Sequence, residues 1–326
     1  MASILAFRSC DILGTVRSDR NSDHVVMPVF QSAHSVPGPM PFTWTKVCSS
    51  IVDGIAGGFF KALVGSRKVV KRLLSPRLVS AIVAKGYRLS DRFRIFPGGA
   101  ALITPEDVLV VADLHLGCEA VLEEEGLSLP RVQTRKVQAY MYDIIDRVAP
   151  SKLVIAGDLK HNFSRNLAQE WNDVVRFIQG LGGRVPLEVV KGNHDNYLGS
   201  ILREHRVPFV KELTVSGVRV LHGHEGSLDG RPTVMGHIHP SILVRDRSGA
   251  GVKDCCFLFS EEHQLLVLPA LSIVSGGVDV LSDAGFARMS PILSGLDTGS
   301  FVPVAFSGST ALRFPTIGDM RKGETV

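Results

Sequence analysis

Apolar residues change their spacing near residue 95, where short β-branched runs begin to alternate with stretches of helical period. Val108-Leu-Val-Val-Ala112 predicts a buried strand, while Val132, Val137, Met141, Ile144, Ile145 and Val148 recur at helical spacing. Leu153-Val-Ile-Ala156 predicts a second strand, and Leu187 to Val190 a third. Between them Leu167, Trp171, Val174, Val175, Ile178 and Leu181 mark another helix. Strand–helix–strand repetition implies parallel pairing and an α/β core. Beyond residue 205 the helical period fades. Val215–Leu221, Thr233–Met235, Ser241–Arg245, Phe257–Phe259 and Leu265–Leu268 read as short strands, which predicts a second, largely antiparallel region.

The chain before this point reads differently. Its first fifty residues lack clear periodicity and carry scattered Ser and Pro. Three readings stay open for them: a poorly ordered arm, an organellar targeting peptide, or a true start further downstream. Arg8, Arg17, Ser3 and Ser9 favour targeting, whereas Asp11, Asp19 and Asp23 are untypical of it. Residues 51–89 interleave Ile55, Phe59, Phe60, Leu63, Val69, Val70, Leu73 and Leu74 with Lys61, Arg67, Lys68, Lys71 and Arg72. This basic amphipathic pattern suits a surface that meets nucleic acid or anionic lipid, or helices packed on the body with a solvated basic face. The expected division is a basic extension over residues 1–93 and a folded domain over 94–326.

Composition narrows the class. The 326 residues are 45% hydrophobic, 21% charged and 7% aromatic, values of a globular rather than a disordered chain. The longest charge-free stretch, His24 to Thr45, is interrupted by Pro28, Pro37, Pro39 and Pro41, so no membrane span is expected. Five cysteines form no CxxC pair, against a zinc-thiolate site or a disulfide framework, and a reducing, cytoplasmic location is expected. The net charge of +4 hides an asymmetry. Residues 1–94 hold fourteen Lys/Arg against five Asp/Glu, and the remainder twenty-two against twenty-seven. A front of +9 and a body of −5 suggest two parts with different tasks.

Each strong strand of the α/β part runs into polar residues able to bind metal. The first ends in Asp113-Leu-His115, the second in Gly157-Asp158-Leu-Lys-His161, the third in Gly192-Asn193-His194-Asp195. His222-Gly-His224 and Gly236-His237-Ile-His239 follow. Sites of open α/β sheets form at the carboxyl ends of strands, so these positions are expected to converge. Taken singly, each has an ordinary alternative, a cap, a turn or a satisfied core histidine. Five in succession behind apolar runs make a stronger pattern. Asp113, Asp158 and Asn193 offer oxygen and the imidazoles offer nitrogen, a set that suits Mn, Fe, Zn or Co rather than a calcium cage. Seven candidate ligands are too many for one ion and about right for two that share a carboxylate. Two metals about 3.5–4 Å apart are a known arrangement for splitting phosphate esters.

These blocks resemble the five motifs of the calcineurin-like metallophosphoesterases. Ala112-Asp-Leu-His-Leu-Gly117, Gly157-Asp-Leu-Lys-His161, Leu129-Pro-Arg131 and Leu268-Pro-Ala270 are most similar to its archaeal and bacterial branch, which includes ligase-associated phosphoesterases. The resemblance covers roughly residues 94 to 296. It implies a four-layer αββα sandwich with two mixed β-sheets and a dimetal site at the strand ends. It places Asp113, His115 and His239 on one ion and Asn193, His222 and His237 on the other, with Asp158 bridging. Two divalent transition-metal ions are implied, manganese first, with iron, zinc, cobalt or nickel as alternatives. His194 is implied as the catalytic group beside the scissile phosphate, protonating the leaving oxygen. Many relatives carry an Asp where His161 stands, which leaves open whether Asp195 or another acid orients His194. Lys160 and Arg131 are candidate phosphate contacts, and His224 has no assigned role. The expected function is a phosphoesterase in which a metal-bridging hydroxide attacks phosphorus, specifically a phosphodiesterase or nuclease of DNA metabolism and repair. Nucleic acid would then bind through the basic front. The alternatives are a small-molecule phosphatase or nucleotide phosphodiesterase, and a non-catalytic scaffold on the same fold, which would be expected to have lost His194.

Overall fold

The computed structural model describes residues 86–127, 130–163, 167–245, 251–282 and 285–323. The expectations for the basic front therefore lie outside the described residues up to position 85, as does part of the Leu129-Pro-Arg131 motif. Seven strands form the first sheet in chain order: β1 (Tyr87–Arg88), β2 (Phe93–Ile95), β3 (Ala101–Ile103), β4 (Val108–Val111), β5 (Lys152–Ala156), β6 (Leu187–Val190) and β7 (Phe209–Val210). β1 to β4 pair antiparallel and β4 to β7 parallel. The sheet thus begins N-terminal to the boundary drawn at residue 94.

Helices α1 (Cys118–Glu124), α2 (Gln133–Val148), α3 (Ala168–Leu181) and α4 (Gly199–Glu204) follow β4, β5 and β6. Strand alternation decides what each side chain covers. Leu109, Val111, Leu153 and Ile155 pack on Val137, Met141 and Ile144 of α2 and on Val174, Phe177 and Ile178 of α3. The intervening Val108, Val110, Val154 and Ala156 face the second sheet, so these strands read as continuous apolar runs because both faces are buried.

That second sheet has nine strands: β8 (Glu212–Val215), β9 (Val218–Leu221), β10 (Thr233–Met235), β11 (Pro240–Arg245), β12 (Gly251–Ser260), β13 (Leu265–Val267), β14 (Val278–Asp279), β15 (Val302–Ser307) and β16 (Thr310–Arg313). It is mixed rather than largely antiparallel, with five antiparallel and three parallel pairings. The run read as one strand, Val215–Leu221, is a hairpin turning at Ser216 and Gly217, both at positive φ. Its two-residue loop with left-handed backbone matches the twist of the flanking strands. The outer face of this sheet is covered by Phe286, Ile292, Leu293, Phe301 and Ile317, from 3-10 turns and the short helix α5 (Ile317–Lys322). Layers therefore run helices, sheet, sheet, and a thin outer cover. No helix among the described residues is long and apolar enough to cross a membrane.

The two sheets meet through valines, other aliphatic side chains and three buried phenylalanines, Phe93, Phe257 and Phe259. Phe93 and Phe259 are buried and touch edge to face, with centroids 6.3 Å apart. Phe259→Ala is expected to cost about 3–5 kcal/mol, the range of buried phenylalanine truncations. The check is a lowered urea midpoint with an unchanged slope. A loss under about 1 kcal/mol would mean that this contact contributes little to holding the sheets together.

Candidate metal centre

Backbone geometry at the strand ends departs from what ordinary residues adopt. Asp113, His115, Asp158, His237 and His239 all have positive φ, between 47° and 71°. Non-glycine residues rarely occupy this left-handed region, at about 1–3 kcal/mol each, and they persist only where surroundings over-determine them. The surroundings here are specific. Gln133, fully buried at the start of α2, donates from Nε2 to the Leu114 and His115 carbonyls and to Ser272 Oγ, at 2.7–3.1 Å. Glu119 accepts from the Val132 and Gln133 amides and so supplies the cap that Val132 cannot. Glu170, in the first turn of α3, accepts from the His161 amide at 2.9 Å and from the Asn162 amide. Close approach adds a steric condition. A Cβ on Gly192 would lie 2.1 Å from Asp158 Oδ1, and one on Gly157 2.2 Å from His222 Nδ1.

These turns bring the seven expected ligand positions together. Asp113, His115 and His239 can each place a ligand atom within 4.8 Å of the other two, and Asp158, His222 and His237 do the same. His115 Nε2 and His239 Nε2 stand 3.3 Å apart, and His239 Nε2 lies 3.4 Å from Asp113 Oδ1. That Asp113 oxygen is buried and has no hydrogen-bond partner. Asp158 Oδ2 is 3.3 Å from His222 Nε2 and 3.9 Å from His115 Nε2, so one carboxylate oxygen lies between the two groups. Asn193 Oδ1 is 3.0 Å from His222 Nε2.

The opposite nitrogen of each ring is engaged elsewhere. His222 Nδ1 donates to the Ala156 carbonyl at 3.0 Å, and His237 Nε2 to the Met289 carbonyl at 2.9 Å. His239 Nδ1 is 2.8 Å from Ser275 Oγ, and His115 Nδ1 is 3.4 Å from His161 Nδ1. Imidazoles that bind metal are held in this way, with one nitrogen fixed by an outer partner and the other free to coordinate. An orphaned buried carboxylate oxygen and four oriented rings fit the binding of divalent metal.

Charge follows from burial and proximity. Burial would push the carboxyls of Asp113 and Asp158 up, but His239 and His222 beside them hold both below the ordinary value. Burial depresses His115 to about 3 and His237 to about 4. His222 goes the other way, to about 9, because its bond to Asp158 and the charge of Asp113 outweigh burial. Without metal, protonated His222 is the counter-ion of the two acids.

Position +3 from Asp158 is where the sequence left a question. His194 Nδ1 donates to the main-chain carbonyl of His161, so no acid orients it. Asp195 is buried and accepts from the Gly192, Leu159 and Lys160 amides, tying the turn after β6 to the turn after β5. His161 thus has two contacts that its place in the motif did not reveal: its carbonyl holds His194 and its ring meets His115. The signal was the departure at that position. His224 lies 5.2 Å from His222 between ring centroids. Lys160 is buried, 3.8 Å from Glu170, and donates to the Asn162 carbonyl, while Arg131 pairs with Glu123 at the surface. Both candidate phosphate contacts are engaged away from the centre.

Comparison with known proteins agrees with this geometry. Residues 107–252 match the family model of calcineurin-like phosphoesterases. The fold is similar to the crystal structure of the Pseudomonas putida nuclease MPE, at 17% identity and TM-score 0.50, over 65% of this chain and 91% of that one. YfcE, a phosphoesterase from E. coli, aligns at 13% identity and TM-score 0.32, over 64% and 97%. No curated protein matches the chain. The matched phosphoesterase domain, with its His/Asp cluster, supports a metal-dependent hydrolase. Residues 107–252 thus form a domain similar to the calcineurin-like phosphoesterases, a family that uses divalent metal ions.

Protonated His222 has a pH signature. Because its pKa is raised, the stability it gives the metal-free protein is fully present below about 6.5 and is lost as pH rises through about 9. Chelator-treated protein should therefore melt at progressively lower temperature from pH 7 to 9. Ion binding at pH 7 should release close to one proton, read by calorimetry in buffers of different ionisation heat. A metal-free melting temperature that is flat or rising over that range contradicts the counter-ion role.

Proposed function

We propose that this chain is a dinuclear metal-dependent phosphodiesterase that acts on nucleic acid. The observation that carries this reading is the position of Asp158 Oδ2 between His115 of one ligand-type group and His222 of the other. Asp113, His115 and His239 would hold one ion, Asn193, His222 and His237 the other, and Asp158 would be shared. When bound, such a pair supplies a nucleophile from water at neutral pH and neutralises charge on the phosphoryl oxygens. Oxygen and imidazole donors without thiolate are compatible with manganese, and equally with iron, zinc or cobalt.

The chain's own residues account for the remaining steps. A cleft of about 360 Å³ is lined by Asp158, Asn193, His194, His237 and His239. His194 is partly exposed, with Nε2 3.9 Å from Asp158 Oδ2. The bond from its Nδ1 to the His161 carbonyl fixes the tautomer, leaving Nε2 to carry a proton to the leaving oxygen. Asp195 and Glu170 hold the two turns that set this spacing, and they never meet substrate.

Nucleic acid is supported by two observations. One is the balance of +9 over residues 1–94, which attracts a polyanion towards a body of −5. The other is the fold shared with a protein described as a nuclease. Cys118 and Cys256 are buried thiols, in keeping with the cytoplasm.

The test is turnover by manganese-reconstituted protein of an aryl phosphodiester, an aryl monophosphate, cyclic nucleotides and end-labelled DNA. Cleavage of the diester and of DNA is expected. Action confined to the monophosphate or to cyclic nucleotides would replace this reading with a small-molecule phosphatase or nucleotide phosphodiesterase. His194→Ala should keep both ions yet lose about 10²–10⁴-fold in turnover of substrates with poor leaving groups. Wild-type turnover by that variant would remove His194 from the chemistry.

A further inference from the structure

Large apolar side chains left in water concentrate around the metal centre. Seven are exposed among the described residues, and three of them stand on segments that build the centre. Phe163 follows His161 by two positions, Tyr197 follows His194 by three, and the Met289 carbonyl holds His237. Phe163 is 57% exposed, although an aromatic ring ordinarily gains by burial. Its main chain is fixed nonetheless. Asn196 Nδ2 donates to the Phe163 carbonyl at 3.3 Å and reaches the Asn193 carbonyl at 3.4 Å, linking the turn after β5 to the turn after β6. The ring meets His194 edge to face, with centroids 6.1 Å apart and planes at 79°. His161 stacks on His194 instead, at 5.8 Å and 23°. An exposed, main-chain-anchored aromatic therefore stands beside the residue assigned to the leaving group.

We propose that Phe163 is a specificity-determining residue: a stacking platform for the nucleobase of the leaving nucleotide in single-stranded nucleic acid. This rests on the phosphodiesterase reading above. A phosphate held at the centre places its leaving oxygen near His194 Nε2, and the next ring along a nucleic-acid chain is the base of the departing nucleoside. Aromatic platforms accept any base, since every base has a π face, and tighten binding by about 5- to 150-fold per stacked base. A base paired within a duplex is already stacked on its neighbours and must leave that stack before it can reach the platform. The platform consequently favours single strands, frayed ends and flipped nucleotides over intact duplex. Phe163 has an alternative role, bracing the His194 ring, which would affect every substrate alike.

Oligonucleotides carrying one abasic residue separate these roles. Single-stranded substrates, intact or with a single tetrahydrofuran site, are cleaved by manganese-reconstituted wild type, Phe163→Ala and Phe163→Trp, with cleavage mapped at each linkage. On intact strands Phe163→Ala should lose about tenfold or more in kcat/KM, mostly through KM, and Phe163→Trp should retain it. At the linkage whose departing nucleotide is abasic, wild type should fall to the level of Phe163→Ala, and the substitution should cause no further loss. An equal loss on intact and abasic strands would make Phe163 a brace for His194 and overturn the proposal, as would no loss on either. If wild type cleaves no phosphodiester at all, the phosphodiesterase reading fails first. Unchanged melting temperatures, expected for an exposed side chain, keep folding out of the comparison.

Discussion

Everything at the centre depends on two carboxylates, Asp113 and Asp158, kept ionised in the interior. Isolated buried charges are costly, and they persist only with partners of opposite sign. In the metal-free chain His222 supplies that charge, 3.3 Å from Asp158 and 3.6 Å from Asp113. Divalent ions would replace it with more charge and displace its Nε2 proton. The acids thus explain at once why two raised histidines, His222 and His239, sit among depressed ones and why the site is built to receive cations.

Holding them there constrains the fold. Five of the converging residues stand in the left-handed region, and glycines at 157 and 192 leave no room for a Cβ beside Asp158 and His222. The strain is borne by the layers beneath. Inter-sheet valines fix the strands, while Gln133 of α2 and Glu170 of α3 bond to the site turns and Glu119 of α1 holds the start of α2 in place. These acids and amides look like helix-capping residues in sequence, and their service to the site becomes visible only in three dimensions.

Sequence periodicity located β4, β5, β6, α2 and α3 because their apolar runs are buried on one or both faces. It missed β1, β2, β3, β7, β14, β15 and β16, most of them two or three residues long, whose pairing is set by neighbouring strands rather than by local pattern. It merged β8 and β9 because Ser216 is an unusual residue for a left-handed hairpin turn. Convergence of Asp113, His115, Asp158, Asn193, His222, His237 and His239 was legible, since each ends an apolar run. The contacts of His161 were not. One is made by its main-chain carbonyl, which carries no residue identity, and the other depends on a ring 46 positions away in sequence. Phe163 was equally silent, because exposure and orientation at a loop leave no periodic trace.

Anomalous diffraction from crystals grown with manganese tests the central claim most directly. The account predicts two peaks about 3.5–4 Å apart on either side of the Asp158 carboxylate. One would be bounded by Asp113, His115 and His239, the other by Asn193, His222 and His237. A single peak, or a pair that does not share Asp158, would contradict it.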